Sequence, residues 1–184
     1  MSELLTTLVA EHVHIRRVLG ALHDFAAYHV VDDPAPRPII GQFVTYLREY
    51  VDGVHHHKEE DHLFEAMIRA GLPRDAGPIG CMRHDHDVGR GHVAVLADLA
   101  AGRGPLVGPD LVALARAVPA YVRLLTDHIH KENNVLYPMA EQLVGADDLA
   151  ALDLVVPADG DAARRLEALG DTLADRYAAA RIAS

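Results

Sequence analysis

Histidine and glutamate are concentrated in one packet, His55-His56-His57-Lys58-Glu59-Glu60, and a second His-x-x-x-Glu, His128 to Glu132, lies far downstream. On an α-helix, residues four apart sit only about 40° apart around the axis and roughly 6 Å apart along it. An imidazole and a carboxylate at that spacing can close on one cation. Two such pairs on two helices, completed by single histidines from two others, are what a metal site inside a four-helix bundle needs.

The rest of the chain must supply those helices. Its 184 residues suffice for one domain with a substantial core. Half of them are apolar, Trp is absent and Phe and Tyr are scarce, while Ala and Leu abound. That balance favours helices over strands. A formal charge of −10 argues against a phosphate-backbone partner, so no nucleic acid is expected. The start, Met1-Ser2-Glu3-Leu4, has no basic and then apolar leader, and no apolar run approaches a membrane span. A soluble, cytoplasmic protein is expected. Cys81 is the sole cysteine, which rules out an internal disulfide or a Cys-based cluster within one chain. Any metal is therefore held by His and carboxylate, with Tyr as an option, a donor set that suits iron, manganese or zinc.

Breakers at Asp32 to Pro38, Gly71-Leu72-Pro73 and Gly102 to Pro105 divide the chain. The expected helices cover about 3 to 30, 38 to 70, 78 to 101 and 109 to 143, with a kink or break near Pro119 and Pro138. The expected fold is all-α, an up-down-up-down four-helix bundle. Residues 1–144 form the metal-binding bundle, and 145–184 form a helical extension packed on the same domain. Within that extension, the break at Pro157-Ala158-Asp159-Gly160 precedes a fifth helix.

A ligand in a bundle core must lie on the inward apolar stripe. Leu5, Leu8, Ile15, Leu19 and Leu22 step by threes and fours with one gap filled by His12. The second stripe runs Ile40, Val44, Leu47, Val51, then His55, Glu59 and His62; the third runs Ile79, Met82, His86, Val93, Leu96, Ala100. In the fourth, Leu114, Val118, Tyr121 and Leu125 lead to His128, Glu132, Val135 and Met139. All four stripes are thus interrupted by ligand-type residues. Burying four imidazoles and two carboxylates in one layer without a cation costs several kcal/mol per uncompensated charge, by the usual desolvation figures, and Arg90 is the sole stripe cation.

Helical phase sorts the remaining candidates. His14 lies about 200° from His12, and His130 about 200° from His128, so both face outward. His56, His57 and His84 belong to the rim, although His56 can swing toward a metal. Lys58, Glu60, Asp61, Asp85 and Asp87 are expected on solvated faces. His23 shares the His12 face but sits too far along the helix. His62, one turn past Glu59, is expected as an outer-sphere or channel-lining residue.

A ferritin-like scheme needs Glu-x-x-His on two helices and a Glu from each of the others. Glu11-x-x-His14 and Glu59-x-x-His62 are present, but the third helix contains no Glu, and Glu11 and His14 flank their stripe. The alternative is a histidine-rich site of His12, His55 with Glu59, His86, and His128 with Glu132. Its motifs are Glu11-His12-x-x-Ile15-Arg16-Arg17-Val18-Leu19, His55-His56-x-Lys58-Glu59-Glu60-Asp61-x-Leu63-Phe64, Asp85-His86-x-x-Gly89-Arg90, and His128-Ile129-x-Lys131-Glu132-x-x-Val135-Leu136-Tyr137-Pro138. Over roughly residues 4 to 144 this resembles the hemerythrin-like His-His-Glu cation-binding family, and the expected fifth helix is similar to the tail such proteins often carry.

The resemblance implies a non-haem di-iron centre with an oxo or hydroxo bridge, His12, His55, His86 and His128 as terminal ligands, and Glu59 and Glu132 as bridges. Oxygen-carrying members place a second histidine four residues after the third-helix ligand, where this chain has Arg90. His56, Glu60, Tyr50, Tyr121 or water are the candidates for the seventh position, and Arg90 is a candidate to steady a carboxylate or an anionic diatomic. The leading expectation is binding or turnover of O2, peroxide or nitric oxide, with an unspecified electron donor. Reversible O2 or iron binding and a metal-stabilised regulatory module are the alternatives, with a closed zinc site as the structural one. Members that repair iron–sulfur clusters carry an added cysteine-containing segment before the bundle. This chain opens directly in its first helix, so repair is expected less.

Overall fold

The computed structural model describes residues 2–156 and 160–177. It is all-α, with no strand among the described residues. Helix α1 covers Glu3–Asp24 and continues as a π-helical turn over Phe25–His29. Helix α2 runs unbroken from Pro36–Thr45 through wide π-helical stretches at Tyr46–His56 and Glu59–Leu63 into Phe64–Arg69. Helix α3 is Gly77–Ala101. Helix α4 joins Gly108–Lys131, a π-turn at Glu132–Leu136, and Tyr137–Leu143. Two shorter helices follow, α5 (Ala146–Val155) and α6 (Asp161–Tyr177).

The four long helices form an up-down-up-down bundle, with α3 against α4 and α2, and α1 against α4. The elements start and stop for local reasons. Ser2 accepts the Leu5 N–H with its side chain as the N-cap of α1. Gly71, at φ 110°, adopts the left-handed conformation that ends α2, one glycine favours over any other residue. Buried Arg37 ties one end of the bundle together by donating to the carbonyls of Leu99, Gly104 and Pro105 and to Asp110.

Two expectations are corrected here. The helix stays unbroken through Pro119, whereas the irregularity near Pro138 is the π-turn just before it. The helical extension holds a helix, α5, ahead of the single fifth helix assigned beyond its break; its signals were Gly145 followed by Asp147 and Asp148 in the first turn. Most of the break at Pro157-Ala158-Asp159-Gly160 falls outside the described residues.

The apolar core is in two parts. One contains Ile15, Leu19, Phe43, Leu47, Val51, Val93, Leu96, Val118 and Leu125. The other contains Leu5, Leu8, Leu63, Phe64, Met67, Ile79, Met82, Leu136 and Tyr137. Each long helix passes from one part to the other through a polar layer. Helix α6 covers the outside of α1 and α2, with Tyr50 donating to Glu167 at 2.8 Å, Arg17 paired with Asp171 and Asp175, and Tyr177 donating to Asp33. Gly170 makes this approach possible, because a Cβ there would stand 2.6 Å from the Tyr46 ring.

Candidate metal centre

The polar layer is built from fully or nearly fully buried side chains: His12, His55, His56, Glu59, His86, His128 and Glu132 are all 5% exposed or less. They fall into two groups of donor atoms within 4.8 Å of one another, His12-His55-Glu59-Glu132 and His56-Glu59-His86-His128. Glu59 belongs to both. Glu132 also spans them, with one oxygen 3.2 Å from His12 Nε2 and the other 2.9 Å from His128 Nε2.

Each ring is turned the same way. His12 Nδ1 faces Asn133 Oδ1 at 2.8 Å, His55 Nδ1 faces Glu11 at 2.8 Å, His56 Nδ1 faces Asp52 at 3.2 Å, His86 Nδ1 faces Glu60 at 2.6 Å, and His128 Nδ1 faces Asp85 at 3.4 Å. An acceptor on Nδ1 places the ring proton there and leaves the Nε2 lone pair for the interior. The carboxylates are held in turn: Glu11 by Lys58, Asp85 by Lys131 at 2.5 Å, and Asp52 and Glu60 by Arg90.

That orientation makes the interior a poor place for anything but cations. The Nε2 atoms of His12 and His55 face each other at 3.0 Å, as do those of His86 and His128. With the proton on Nδ1, His12 and His55 present lone pairs to each other. Glu59 Oε2, both Glu132 oxygens and His56 Nε2 are buried without a hydrogen-bond partner. Buried unsatisfied groups on this scale cost several kcal/mol, at roughly 1 to 3 for each neutral one and more for charged ones. Divalent cations would satisfy all of them at once, so the donor set fits a metal centre.

Electrostatics agree. Burial and the Glu132 carboxylate push Glu59 well above the usual carboxylate range, while Glu132, despite its burial, is held well below it by His128 and His12. Burial and neighbouring rings push His55 and His56 well down, which keeps them neutral and ready to ligate. Against its burial, His128 is held up to about 9 by Glu132 and Asp85. Glu60, against partial burial, is held down at about 2 by His86 and Arg90.

The structure brings the six expected residues His12, His55, Glu59, His86, His128 and Glu132 into one layer, and adds His56. Several expectations are revised. His56 and Glu60, expected on the rim or solvated face yet kept as candidates for a further ligand position, turn inward: α2 is π-helical around this packet, and the i→i+5 register rotates adjacent positions toward the centre. The π-turn at Glu132–Leu136 likewise puts Leu136 and Tyr137 inside, leaving the stripe candidate Val135 52% exposed. Lys58 is buried on Glu11, and Asp85 is largely covered by Lys131. Glu11 does not merely flank the stripe: it is buried on His55. His62 meets His57 edge-on at 5.8 Å and is outside both donor groups. His14 is also outside them, though covered, accepting from or donating to the Tyr46 hydroxyl at 2.9 Å. Tyr50 is engaged by Glu167. The tyrosine at the centre is Tyr137, whose hydroxyl donates to Glu59 Oε1 at 2.6 Å and whose ring stacks on His12. Its signal was its place five residues after Glu132. Arg90 holds Asp52, Glu60 and Asp87 and touches no donor group directly.

The two groups differ in their surroundings. His12 and His55 are closed in by Tyr137, Asn133 and Glu11. His56 and His86 border a cavity of about 350 Å³ that reaches past Arg90. No helix among the described residues is long and apolar enough to cross a membrane.

Comparison with known proteins agrees with this geometry. The sequence profile of the Hemerythrin HHE cation binding domain matches residues 3–140. An uncharacterized protein of Mycobacterium tuberculosis is 27% identical over 143 residues, 76% of this chain and 54% of that protein. The iron-sulfur cluster repair protein YtfE of Musicola paradisiaca is 38% identical over 88 residues, 46% of this chain and 40% of that protein. The protein of the same name from Yersinia pseudotuberculosis is 33% identical over 108 residues, 57% of this chain and 48% of that protein. The chain thus spans about half the length of the curated relatives it matches. No solved structure matches it.

Proposed function

Because the chain belongs to the hemerythrin HHE cation-binding family, we propose that it holds an oxo- or hydroxo-bridged non-haem di-iron centre that binds or turns over O2, peroxide or nitric oxide, in stress defence or sensing. His12 and His55 would hold one metal and His56, His86 and His128 the other, with Glu59 and Glu132 shared. The observation that carries this reading is the sharing: two donor groups with Glu59 in common suit two cations better than one closed four-ligand zinc site. A pair of irons supplies one-electron redox steps and Lewis acidity toward small oxygen or nitrogen ligands.

The chain's own residues do the rest. The Nδ1 acceptors fix each imidazole in the ligating tautomer. The Tyr137 hydroxyl orients Glu59 by donating to Oε1, leaving Oε2 for the interior. The two-part apolar core closes the layer from above and below, which strengthens the electrostatic contacts on the enclosed His12 and His55 side. The cavity beside His56 and His86 offers a small molecule its approach.

Anaerobic iron loading followed by hydrogen peroxide, O2 and nitric oxide, each followed by absorption, tests the reading. Catalytic peroxide consumption or a nitrosyl spectrum supports it. Reversible oxygenation without consumption supports the carrier alternative, and an iron-loaded protein inert to all three leaves the metal-stabilised module. Iron–sulfur cluster repair is a second reading, favoured by the likeness to two iron-sulfur cluster repair proteins; its test is restoration of a damaged cluster in a partner enzyme by the iron-loaded chain.

A further inference from the structure

The cavity beside His56 and His86 is far larger than a diatomic needs. At about 350 Å³ it falls in the range of small-molecule sites, whereas one water's share of liquid is only about 30 Å³. Its walls are of two kinds. Leu47, Val93, Leu125 and the Tyr121 ring, all buried, make one part apolar. Gly89 lines the same part, where a Cβ would make ordinary contact with the Tyr121 ring at 3.4 Å. The other part is polar and includes His56, whose buried Nε2 has no hydrogen-bond partner.

Charge narrows the occupant. Asp52 and Asp85 both line the polar part, and Arg90 is already engaged by Asp52, Glu60 and Asp87. Arg48 stands exposed at the rim. A carboxylate head would therefore meet like charge beside the histidines, while a neutral oxygen head that can donate a hydrogen bond would meet acceptors.

We infer that this cavity binds a short alkyl or aryl hydroperoxide, with its peroxide group at the His56 and His86 end and its hydrocarbon among Leu47, Val93, Tyr121 and Leu125. The inference deepens the peroxide arm of the proposed function and rests on it. In that reaction the O–O bond breaks on taking up two electrons and two protons, giving the alcohol and water. A di-iron pair held by His12, His55, His56, Glu59, His86, His128 and Glu132 would supply that electron pair, and an external thiol reductant would restore it. The alcohol keeps the substrate's shape, so it serves as an unreactive probe.

The test is calorimetric titration of the metal-loaded full chain with 2-phenyl-2-propanol, the alcohol of cumene hydroperoxide, beside kinetics with cumene hydroperoxide and hydrogen peroxide. Wild type should bind one alcohol per chain. Val93→Phe, which fills the apolar wall, should weaken binding and lower the cumene-to-hydrogen-peroxide ratio of kcat/KM, each about tenfold or more. Leu125→Ala, which enlarges the same wall, should retain binding within about threefold, separating loss of space from loss of fold. Absence of saturable binding to wild type, or an unchanged ratio in Val93→Phe, would overturn the inference. If neither peroxide reacts but the alcohol binds and Val93→Phe abolishes it, the site stands and the peroxide reading falls.

Discussion

The two halves of the polar layer use the same ligand chemistry in opposite settings. On the His12 and His55 side, the outer residues are buried or half-buried: Glu11 lies on Lys58, Asn133 on His12, and Tyr137 on Glu59. On the His56 and His86 side, the outer carboxylates Asp52 and Glu60 reach the surface through Arg90, and Asp52 borders a cavity. A buried outer shell fixes geometry at the cost of dehydrating charge, whereas an exposed one leaves room for a ligand. On the proposed reading, the first half holds metal and the second meets small molecules.

The largest effect is expected where the halves join. Glu59→Ala removes the residue common to both donor groups, so metal affinity should fall by more than about a hundredfold across both, beyond what loss of an outer partner costs. Loss of one metal with the other retained at full affinity would separate halves that are here joined. Next comes Glu11→Gln against Glu60→Gln. Breaking the buried Glu11 to Lys58 contact should cost about 3 kcal/mol in chemical denaturation, and breaking the half-exposed Glu60 to Arg90 contact less than about 1. Equal losses would erase the contrast.

Smaller still is Tyr137→Phe. It leaves Glu59 Oε1 without its donor, and metal-free protein should lose about 1 to 2 kcal/mol of stability, with altered absorption once iron is loaded. The smallest is Arg90→Ala, whose guanidinium is partly solvent-exposed. Thermal unfolding should shift by only a few degrees, corresponding to roughly 1 kcal/mol or less, while nitric oxide association at the loaded centre changes. An unfolded Arg90→Ala protein would make Arg90 part of the scaffold instead.

How far these halves could be read from the chain follows from helix type. Stripes at 3.6-residue spacing located the four long helices and brought His12, His55, Glu59, His86, His128 and Glu132 to one level, since gaps in an apolar face are visible in any sequence. The same phase gave His56 and Glu60 to the rim, though both stayed candidates for a further ligand, and set Val135 on the inward stripe while passing over Tyr137; all lie within or beside π-helical stretches of α2 and α4. Nothing in residue type marks an i→i+5 register, although Asp52 to His56 at i,i+4 hinted that His56 is held. The buried roles of Glu11, Lys58 and Asp85 were illegible for another reason: their partners stand on other helices, and short-range patterning is blind to those. Zinc or iron cannot be told apart by pattern, because His and carboxylate serve both.

The central claim, one centre made of two unequal halves that share Glu59, is tested most directly by elemental analysis of the full chain after anaerobic iron loading and removal of loose metal. Two irons per wild-type chain, with both lost in Glu59→Ala, is the predicted result. A single tightly held metal per wild-type chain would contradict it.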